Sequence, residues 1–329
     1  MLLLLYHIVM TSYEPHLFTI QSGKRLIDHI KQYSHHKLQN VKKIVNVFQS
    51  FYKHKKGCGL GDFIKGSYFL YQYCKIANKE CEINMRYHLI SDMVDIEYPE
   101  IPSTDQQAIE ICDHKNYHPN VFDKHNIIHY ISTIDSIHSY LSRCTIAHQT
   151  MYVYITCYPL FTIEDDARTF IKYSFTPSYL IDHMVSSMLE PHQLETRTYH
   201  LIQIRCGDSC LIRHDTLQMN SILQLVSAIK KHMESRKTYI LIADSDALKK
   251  TMVSYLPELI IHDYAVAHTG EGVDQQSEGV VGTTIDYILL SGALSIYSIS
   301  TYEHGSSFSK WCAETYRIPY TCSFLKMNS

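Results

Sequence analysis

Hydrophobic and polar positions in the C-terminal half of the chain alternate between strand-like and helix-like patterns. β-Rich apolar runs predict strands at residues 199–205, 238–243, 259–262 and 294–300. Apolar residues at helical spacing predict helices at residues 221–235, 284–292 and 307–316. Strands that alternate with helices of this length are typical of parallel sheets built from βαβ units. This half of the chain is therefore predicted to have an α/β fold.

The N-terminal half shows the same alternation. Residues 62–78 carry a helical stripe of large apolar side chains, and a short strand-like run follows at 81–85. A β-rich run at 151–158 precedes the acidic residues 164–166, which are typical of a helix start. A further helix is predicted at 178–189. Both halves of the chain therefore favour the α/β class.

Length and one polar stretch predict two domains. The chain has 329 residues, and domains contain roughly 100–200 residues each. Residues 190–198 (EPHQLETRT) are polar, contain a proline and separate two complete sets of strands and helices. We therefore expect an N-terminal α/β domain at 1–190 and a C-terminal α/β domain at 191–329.

Composition excludes several classes of protein. Hydrophobic residues make up 45% and charged residues 19%, as in globular proteins. A net charge of −3 argues against a nucleic-acid partner. The ten cysteines show no C-x-x-C spacing, so the strong zinc and redox motifs are absent. The apolar residues 1–10 are too few to span a bilayer and predict a buried N-terminal strand or an ordering segment instead. We expect a soluble, cytoplasmic protein with reduced cysteines and no transmembrane segment.

Alternating glycines at Gly57, Gly59 and Gly61 precede the helix predicted at 62–78. At such a turn, backbone N–H groups can approach a ligand closely at the positive end of the helix dipole. The spacing matches neither the dinucleotide-binding G-x-G-x-x-G pattern nor a P-loop. A tight turn from strand to helix, without a ligand, explains these glycines equally well.

The apolar run at 199–205 ends abruptly in Arg205, and Gly207 and Asp208 follow it. Ligands in open α/β folds bind beyond the carboxyl ends of the strands, where Arg205 is expected. A planar, permanently charged guanidinium is suited to bind a diphosphate. The structural alternative is an ion pair between Arg205 and Asp208 across the turn.

Two further segments carry polar groups. Asp244 and Asp246 follow the run at 238–243, where a carboxylate can bind a ribose or a purine amide, although helix capping is the common alternative. Residues 305–309 (GSSFS) precede the helix at 307–316 and offer hydrogen-bond donors to an anion. Asp286 is a lone acid in an apolar helix, and it therefore needs a partner.

These four segments, in this order, resemble the fucosyltransferase superfamily with the GT-B fold. That superfamily includes protein O-fucosyltransferases, α1,6-fucosyltransferases and bacterial nodulation fucosyltransferases. Its G-x-G-N loop, H-x-R-x-G/T-D strand end, acidic strand end and D-x-x-x-L-S … S-S-F-S segment correspond here to 59–62, 203–208, 243–246, and 286–291 with 306–309. The resemblance covers roughly residues 57 to 318.

The resemblance implies two Rossmann-like domains that face a central cleft, with a nucleotide-sugar donor in the C-terminal domain. It implies that Arg205 holds the β-phosphate and that Asp244 or Asp246 contacts the base or ribose. The remaining donor-binding positions are Gln203, Asp208, Asp286, Ser306, Ser307 and Phe308. The superfamily's usual histidine is replaced by Gln203, which affects the expected guanosine contacts.

The activity implied is inverting transfer of a sugar to a hydroxyl of a glycan or glycoprotein. The donor is expected to be GDP-fucose or another nucleoside-diphosphate sugar. Gly59 and Gly61 would lie on the acceptor side, and Asp62, which replaces the usual asparagine, is the candidate base. Asp244 and Asp246 form a D-x-D pattern that holds metals elsewhere, but the superfamily is metal-independent. No metal or cofactor is therefore expected.

Three alternatives remain open. A non-catalytic nucleotide-sugar or glycan-binding module of the same fold would fit the replacements at Gln203 and Asp62. A dinucleotide-dependent oxidoreductase is disfavoured by the glycine spacing. Four histidines, at positions 114, 118, 125 and 129, form two i, i+4 pairs typical of zinc ligands. Because Pro119 and neighbouring Asp and Asn residues predict a loop there, zinc is disfavoured.

Overall fold

A computed structural model describes residues 20–48, 59–102, 111–112, 127–142, 146–147, 149–207, 210, 217–267, 269 and 277–326. These residues form two compact units. The N-terminal unit contains the described residues of 13–91 and 96–174, and the C-terminal unit contains those of 92–95 and 175–329. The main division thus falls at 174/175, while the domain boundary expected at 190/191 stays a prediction.

The N-terminal unit is built on a mostly parallel sheet. Its strands are β1 (Lys43–Val47), β2 (Glu80–Asn84), β3 (Ile111–Cys112), β4 (Ile146–Ala147) and β5 (Thr150–Ile155). Its α-helices are α1 (Ile20–Lys37), α2 (Leu60–Ala77), α3 (Ile127–Leu141) and α4 (Asp165–Ser174). The strand order is β2-β1-β5-β3, with β4 antiparallel to β5. Apolar residues of α1, α2 and α3 pack with β1 and β5 in one core.

The C-terminal unit contains a parallel five-stranded sheet. Its strands are β6 (His200–Arg205), β7 (Tyr239–Ala243), β8 (Leu259–Ile260), β9 (Ser295–Ser300) and β10 (Tyr320–Phe324). Its α-helices are α5 (Tyr179–Leu189), α6 (Met219–His232), α7 (Asp246–Tyr255), α8 (Ser277–Gly292) and α9 (Ser307–Tyr316). The strand order is β10-β9-β6-β7-β8. One face of the sheet packs its alternate apolar residues against α6 and α7.

The predicted α/β class is confirmed, and most predicted elements appear with small shifts at their ends. The helix expected at 62–78 is α2, and the strands expected at 199–205 and 294–300 are β6 and β9. The run at 259–262 is shorter than predicted, because β8 contains only Leu259–Ile260. The strand or ordering segment predicted at 1–10 lies outside the described residues. None of the helices in the described ranges is both long and apolar enough to cross a membrane.

Several elements were not predicted from the sequence, and for α1 and β1 the physical reason is clear. Helix α1 is rich in Lys, His and Gln, so few of its positions are apolar. In β1 the polar Asn46 interrupts the apolar run. Its side chain is nevertheless fully buried, because it accepts a hydrogen bond from the Ile155 backbone N–H (3.0 Å) and donates one to Ser67 (3.0 Å). A strand residue paired in this way costs little when it is buried.

Candidate functional site

The carboxyl end of β6 lies at a topological switch point of the C-terminal sheet. From β6 the chain adds β7 and then β8 on one side, and it later adds β9 and β10 on the other side. In open α/β sheets, ligands bind in the crevice outside the carboxyl ends of the strands where the strand order reverses. A ligand site is therefore expected at the carboxyl ends of β6 and β9.

Arg205, the last residue of β6, forms a largely buried ion pair with Asp244 at the end of β7. Arg205 Nη1 lies 3.1 Å from Asp244 Oδ1, and the two side chains are 17% and 8% exposed. The second carboxylate oxygen accepts a hydrogen bond from the Gly207 backbone N–H at 2.9 Å. Burial raises the pKa of Asp244 above its ordinary value, although Arg205 and Gly207 act in the opposite direction. Two neighbouring strands thus hold a guanidinium and a carboxylate in fixed positions.

The residues after β9 complete this edge of the sheet. The Thr301 backbone N–H donates to the Arg205 carbonyl at 3.0 Å, and the Arg205 guanidinium carbon lies 5.8 Å from the ring centre of Tyr302. Gly207 has a φ of +102°, and a Cβ at this position would lie 3.1 Å from the Tyr302 hydroxyl. Tyr302 was not predicted as a site residue, because no spacing in the sequence connects it with Arg205. Only the pairing of β6 with β9 brings them together.

Asp246, the second acid of the D-x-D pattern, lies in the first turn of α7 and has its own cation. Its Oδ1 is 2.8 Å from Lys249 Nζ, and the Lys249 side chain is only 1% exposed. Lys249 Nζ also donates to two backbone carbonyl groups at 3.2 Å. Ser245 caps the helix by accepting from the Leu248 N–H at 3.4 Å. Ser245 is therefore the N-cap residue of α7. Helix capping was the structural alternative for this segment in the sequence.

Asp286 has the partner that its apolar surroundings require. His262 Nε2 lies 2.5 Å from Asp286 Oδ1, and both side chains are buried. The other ring nitrogen of His262, Nδ1, is buried without a hydrogen-bond partner among the described residues. The need for a partner followed from the sequence, but its identity did not, because His262 follows β8 and is 24 residues away in the chain.

The serines predicted to bind an anion lie where α9 begins. Ser306 is the N-cap residue, is buried, and makes no side-chain capping hydrogen bond. Gly305 before it has a φ of +78°, which favours glycine. Ser307 opens the helix, and the Phe308 ring lies 5.9 Å from the ring of Tyr287. The N-terminus of α9 therefore presents backbone N–H groups at its first turn.

Gln203 lies inside the sheet. It is buried, and its Oε1 accepts a hydrogen bond from the Ser298 hydroxyl at 3.1 Å on the neighbouring strand β9. Gln203 and Arg205 are two residues apart on β6, so their side chains are on the same face. Asp208, Gly57 and Cys58 lie outside the described residues.

In the N-terminal unit, Gly59 and Gly61 lie at the start of α2. Gly59 is the N-cap residue, and Gly61 is buried in the first turn. Asp62 Oδ1 forms an ion pair with Lys65 Nζ at 2.8 Å, and Lys65 Nζ lies 4.5 Å from the ring centre of Tyr158. Burial, the largest single effect, acts to lower the pKa of Lys65, but Asp62, Tyr158 and Cys157 together outweigh it, and the pKa is raised. Asp62 is thus held by a cation one helical turn away.

The prediction of a loop around the four spaced histidines is wrong at the C-terminal end of that segment. His129 belongs to α3, because the apolar residues from Ile127 onward continue a helical pattern. His114, His118 and His125 lie outside the described residues.

The fold is similar to that of solved structures. The NodZ α-1,6-fucosyltransferase co-crystallised with GDP has a TM-score of 0.50 and 11% identity, over 83% of this chain and 91% of that one. The fold is fucosyltransferase-like. A structure of the fucosyltransferase NodZ from Bradyrhizobium has a TM-score of 0.49 and 12% identity, over 83% of this chain and 92% of that one. A structure of Arabidopsis thaliana FUT1 in complex with GDP has a TM-score of 0.49 and 11% identity, over 95% and 80%.

At this identity the likeness shows the fold alone. It confirms the GT-B-type α/β class expected from the resemblance of the four segments. No protein-family model and no curated protein match the chain by sequence.

Proposed function

We propose that the chain is a glycosyltransferase that uses a nucleotide sugar, GDP-fucose, as its donor. In this proposal it transfers fucose with inversion to a hydroxyl of a glycan or protein, and it needs no metal. The observation that carries the proposal is the Arg205–Asp244 ion pair at the switch point of the C-terminal sheet. A nucleoside diphosphate is favoured because NodZ, which shares the fold, was co-crystallised with GDP.

Arg205 is the proposed diphosphate ligand. Sugar transfer passes through an oxocarbenium-like state in which negative charge grows on the departing β-phosphate, and fixed positive groups stabilise that charge. A guanidinium has five N–H donors in a planar fork, so it can bind a carboxylate and a phosphate together. Asp244 and the Gly207 N–H would keep the guanidinium in position, which assigns Asp244 an orienting role in addition to any contact with the ribose.

The N-terminus of α9 is the proposed second diphosphate ligand. Ser306, Ser307 and Phe308 supply backbone N–H groups at the positive end of a ten-residue helix. Ser306 and Ser307 also carry hydroxyl donors. Together with Arg205, these groups would neutralise the leaving nucleotide without a divalent ion.

The ion pairs of the site bear on whether it binds a divalent metal ion. Both carboxylates of the D-x-D pattern are already paired with cations of the chain, Asp244 with Arg205 and Asp246 with Lys249. A divalent ion would have to compete with both cations for the carboxylates. This arrangement favours charge stabilisation by the protein's own groups. Asp246 and Asp286, with its partner His262, remain the proposed contacts for the base and ribose.

Asp62 is the proposed base on the acceptor side. An inverting transfer requires a group that removes the proton of the acceptor hydroxyl as this hydroxyl attacks the anomeric carbon opposite the leaving phosphate. Asp62 is 35% exposed and lies in the first turn of α2, after Gly59 and Gly61. Lys65, which pairs with Asp62, would release the carboxylate to the acceptor or share it.

A second candidate function is a nucleotide-sugar-binding module without catalysis. The buried hydrogen bond between Gln203 and Ser298 favours it, because the superfamily's histidine is replaced here by a neutral side chain committed to the sheet. This module would bind the donor at the same place. It differs from the enzyme only in turnover.

One experiment separates these functions. The protein is mixed with radiolabelled GDP-fucose, UDP-sugars or dTDP-sugars, and both its melting temperature and the release of labelled sugar are measured. Bound donor stabilises the fold by about 2.7 kcal/mol at about 100 times its Kd, so the panel ranks the donors. We expect GDP-fucose to stabilise the protein most and to release sugar to water or an acceptor.

Stabilisation without release would identify a binding module instead. The same assay in EDTA tests the metal. We expect release to continue in EDTA at a temperature well below the melting transition. If EDTA abolishes release and Mn²⁺ restores it, Asp244 and Asp246 bind a metal after all.

A further inference from the structure

Three side chains with metal-binding atoms meet between two helices of the N-terminal unit. His29 lies on α1, and Asp135 and His138 lie on α3. One nitrogen or oxygen of each side chain lies within 4.8 Å of the corresponding atoms of the other two. Asp135 and His138 are three residues apart, so they project from the same face of α3. These residues are separate from those proposed to bind the donor or the acceptor.

His138 supplies an independent observation. Its side chain is only 5% exposed, and its Nε2 has no hydrogen-bond partner among the described residues. Leaving a buried polar atom unpaired costs about 1–3 kcal/mol, so such an atom calls for an explanation. The ring of Tyr33 stacks on the imidazole at 3.6 Å with an angle of 4° between the planes. The imidazole is therefore held in one orientation.

The other two groups lie closer to solvent. His29 Nε2 is 2.7 Å from Asp135 Oδ1, and their side chains are 33% and 58% exposed. The cluster thus has one buried ligand, one half-buried ligand and one exposed ligand. An ion would enter from the solvent side without unfolding the unit.

The three side chains of the cluster offer two imidazole nitrogens and one carboxylate oxygen. Neutral imidazole nitrogen is the most common metal ligand in proteins. Two imidazoles with one carboxylate suit a borderline ion such as Zn²⁺, whereas Mg²⁺ and Ca²⁺ prefer oxygen ligands.

We propose that His29, Asp135 and His138 form a zinc site in which water fills the fourth position. The ion would join α1 to α3 by bonds that the unfolded chain lacks. It would satisfy His138 Nε2 and replace the contact between His29 and Asp135. Its role is to stabilise the N-terminal unit, because a ligand that binds only the native state raises its stability.

The test uses the full-length chain after dialysis against EDTA and then into a metal-free buffer. Zn²⁺ binding is measured by calorimetry for the wild type and for His29→Gln and Asp135→Asn, which change partly exposed positions. His35→Gln is the matched control, because His35 is an exposed histidine on the same helix. Since the chain has 21 histidines, the control separates the site from adventitious binding.

We expect the wild type and His35→Gln to bind one equivalent of Zn²⁺ tightly and to melt at a higher temperature in its presence. In His29→Gln and Asp135→Asn the affinity of that equivalent falls at least about tenfold, and the thermal stabilisation is lost. Equal zinc binding by all four proteins, or none by the wild type, would overturn the proposal. Because the readouts are zinc affinity and melting temperature, they are independent of sugar transfer.

Discussion

Each of the two units has an ion pair near the carboxyl end of its sheet. The two ion pairs differ in the elements that carry their side chains. In the C-terminal unit, Arg205 and Asp244 end two neighbouring strands. In the N-terminal unit, Asp62 and Lys65 lie one turn apart in a single helix, α2. The first turns of α2 lie near the carboxyl end of β5. The backbones are so close there that a Cβ on Gly66 would clash with the carbonyl oxygen of Ile155.

The difference concerns how firmly each charge is held. Asp244 is 8% exposed and bound by a guanidinium and a backbone N–H, whereas Asp62 is 35% exposed and bound by a single lysine ammonium. Groups fixed in advance stabilise developing charge without reorganisation. The C-terminal pair therefore suits the leaving phosphate. The N-terminal pair suits a group that must exchange its partner during a reaction.

Removal of Arg205 should have the largest effect. We expect Arg205→Ala to lower kcat by about 10²–10³ and to weaken donor binding, because the charge on the leaving phosphate is no longer neutralised. Arg205→Lys should recover only part of the rate, since an ammonium lacks the planar two-point contact. Steady-state rates per folded molecule give the measurement.

Stability needs its own control, because Arg205→Ala leaves Asp244 buried without its cation. Breaking a buried pair costs about 3–5 kcal/mol, whereas removing both charges is often close to neutral. The double variant Arg205→Met/Asp244→Asn should therefore melt near the wild type and still lack activity. If it melts normally and turns over normally, the pair has no part in catalysis.

Asp62→Asn tests the N-terminal pair. If Asp62 is the base, transfer should fall by about 10² or more, because general base catalysis contributes that much. Donor affinity should change by less than about twofold, a margin of roughly 0.4 kcal/mol. Lys65→Met is the matched control. Should both variants merely lower the melting temperature and leave transfer intact, the pair is structural.

Substitution of one glycine in each unit should lower the free energy of unfolding by different amounts. Gly66→Ala places a Cβ 1.7 Å from the Ile155 carbonyl oxygen, so backbone must move; we expect a loss of about 3 kcal/mol. Gly207→Ala is strained by its positive φ, but its nearest contact is a tyrosine hydroxyl at 3.1 Å, and we expect about 1–2 kcal/mol. Urea unfolding followed by circular dichroism measures both. Equal losses would contradict the close approach of α2 to β5.

The smallest predicted effect is a pH dependence of the C-terminal unit. Burial lowers the pKa of both His200 and His232 below 6.5, so the unfolded chain binds more protons than the native state just below that pH. Stability should therefore be complete above about pH 6.5 and fall as the pH decreases.

The chain's single tryptophan, Trp311, lies in α9 and reports on this unit. We expect the urea midpoint from its fluorescence to be lower at about pH 5.5 than at about pH 7.5. His232→Phe keeps the stacking on Tyr297 that His232 makes at 3.8 Å and should reduce this difference. An unchanged difference in the variant would show that His232 does not contribute.

Much of the fold could be predicted from the local sequence pattern. The side chains that pair with the site residues could mostly not be predicted in this way. The apolar run ending in Arg205 predicted both a strand and a charged strand end. The sequence offered Asp208, which lies outside the described residues, as a partner of Arg205 because it is near in the chain. The pairing with Asp244 becomes apparent only once β6 and β7 are aligned. Lys249 was within reach of sequence reasoning, since it follows Asp246 by three helical positions.

Helix α8 shows why an element's start can be misjudged. The helix was expected from residue 284 and begins at Ser277. Gly279 and Gly282 disfavour a helix by local propensity. In the structure they allow close packing, because a Cβ would lie 2.5 Å from the Ala267 side chain and 1.9 Å from the Ala265 carbonyl oxygen, respectively. Tertiary contact thus outweighs propensity at both positions.

The most direct test of the account is GDP binding, measured by calorimetry on three proteins. These are the wild type, the charge-free double variant Arg205→Met/Asp244→Asn, and Lys65→Met as the control in the N-terminal unit. We predict that the double variant binds GDP at least about tenfold more weakly, a loss of about 1.4 kcal/mol, while Lys65→Met binds as the wild type does. Wild-type GDP affinity in a correctly folded double variant would contradict the placement of the donor diphosphate at Arg205.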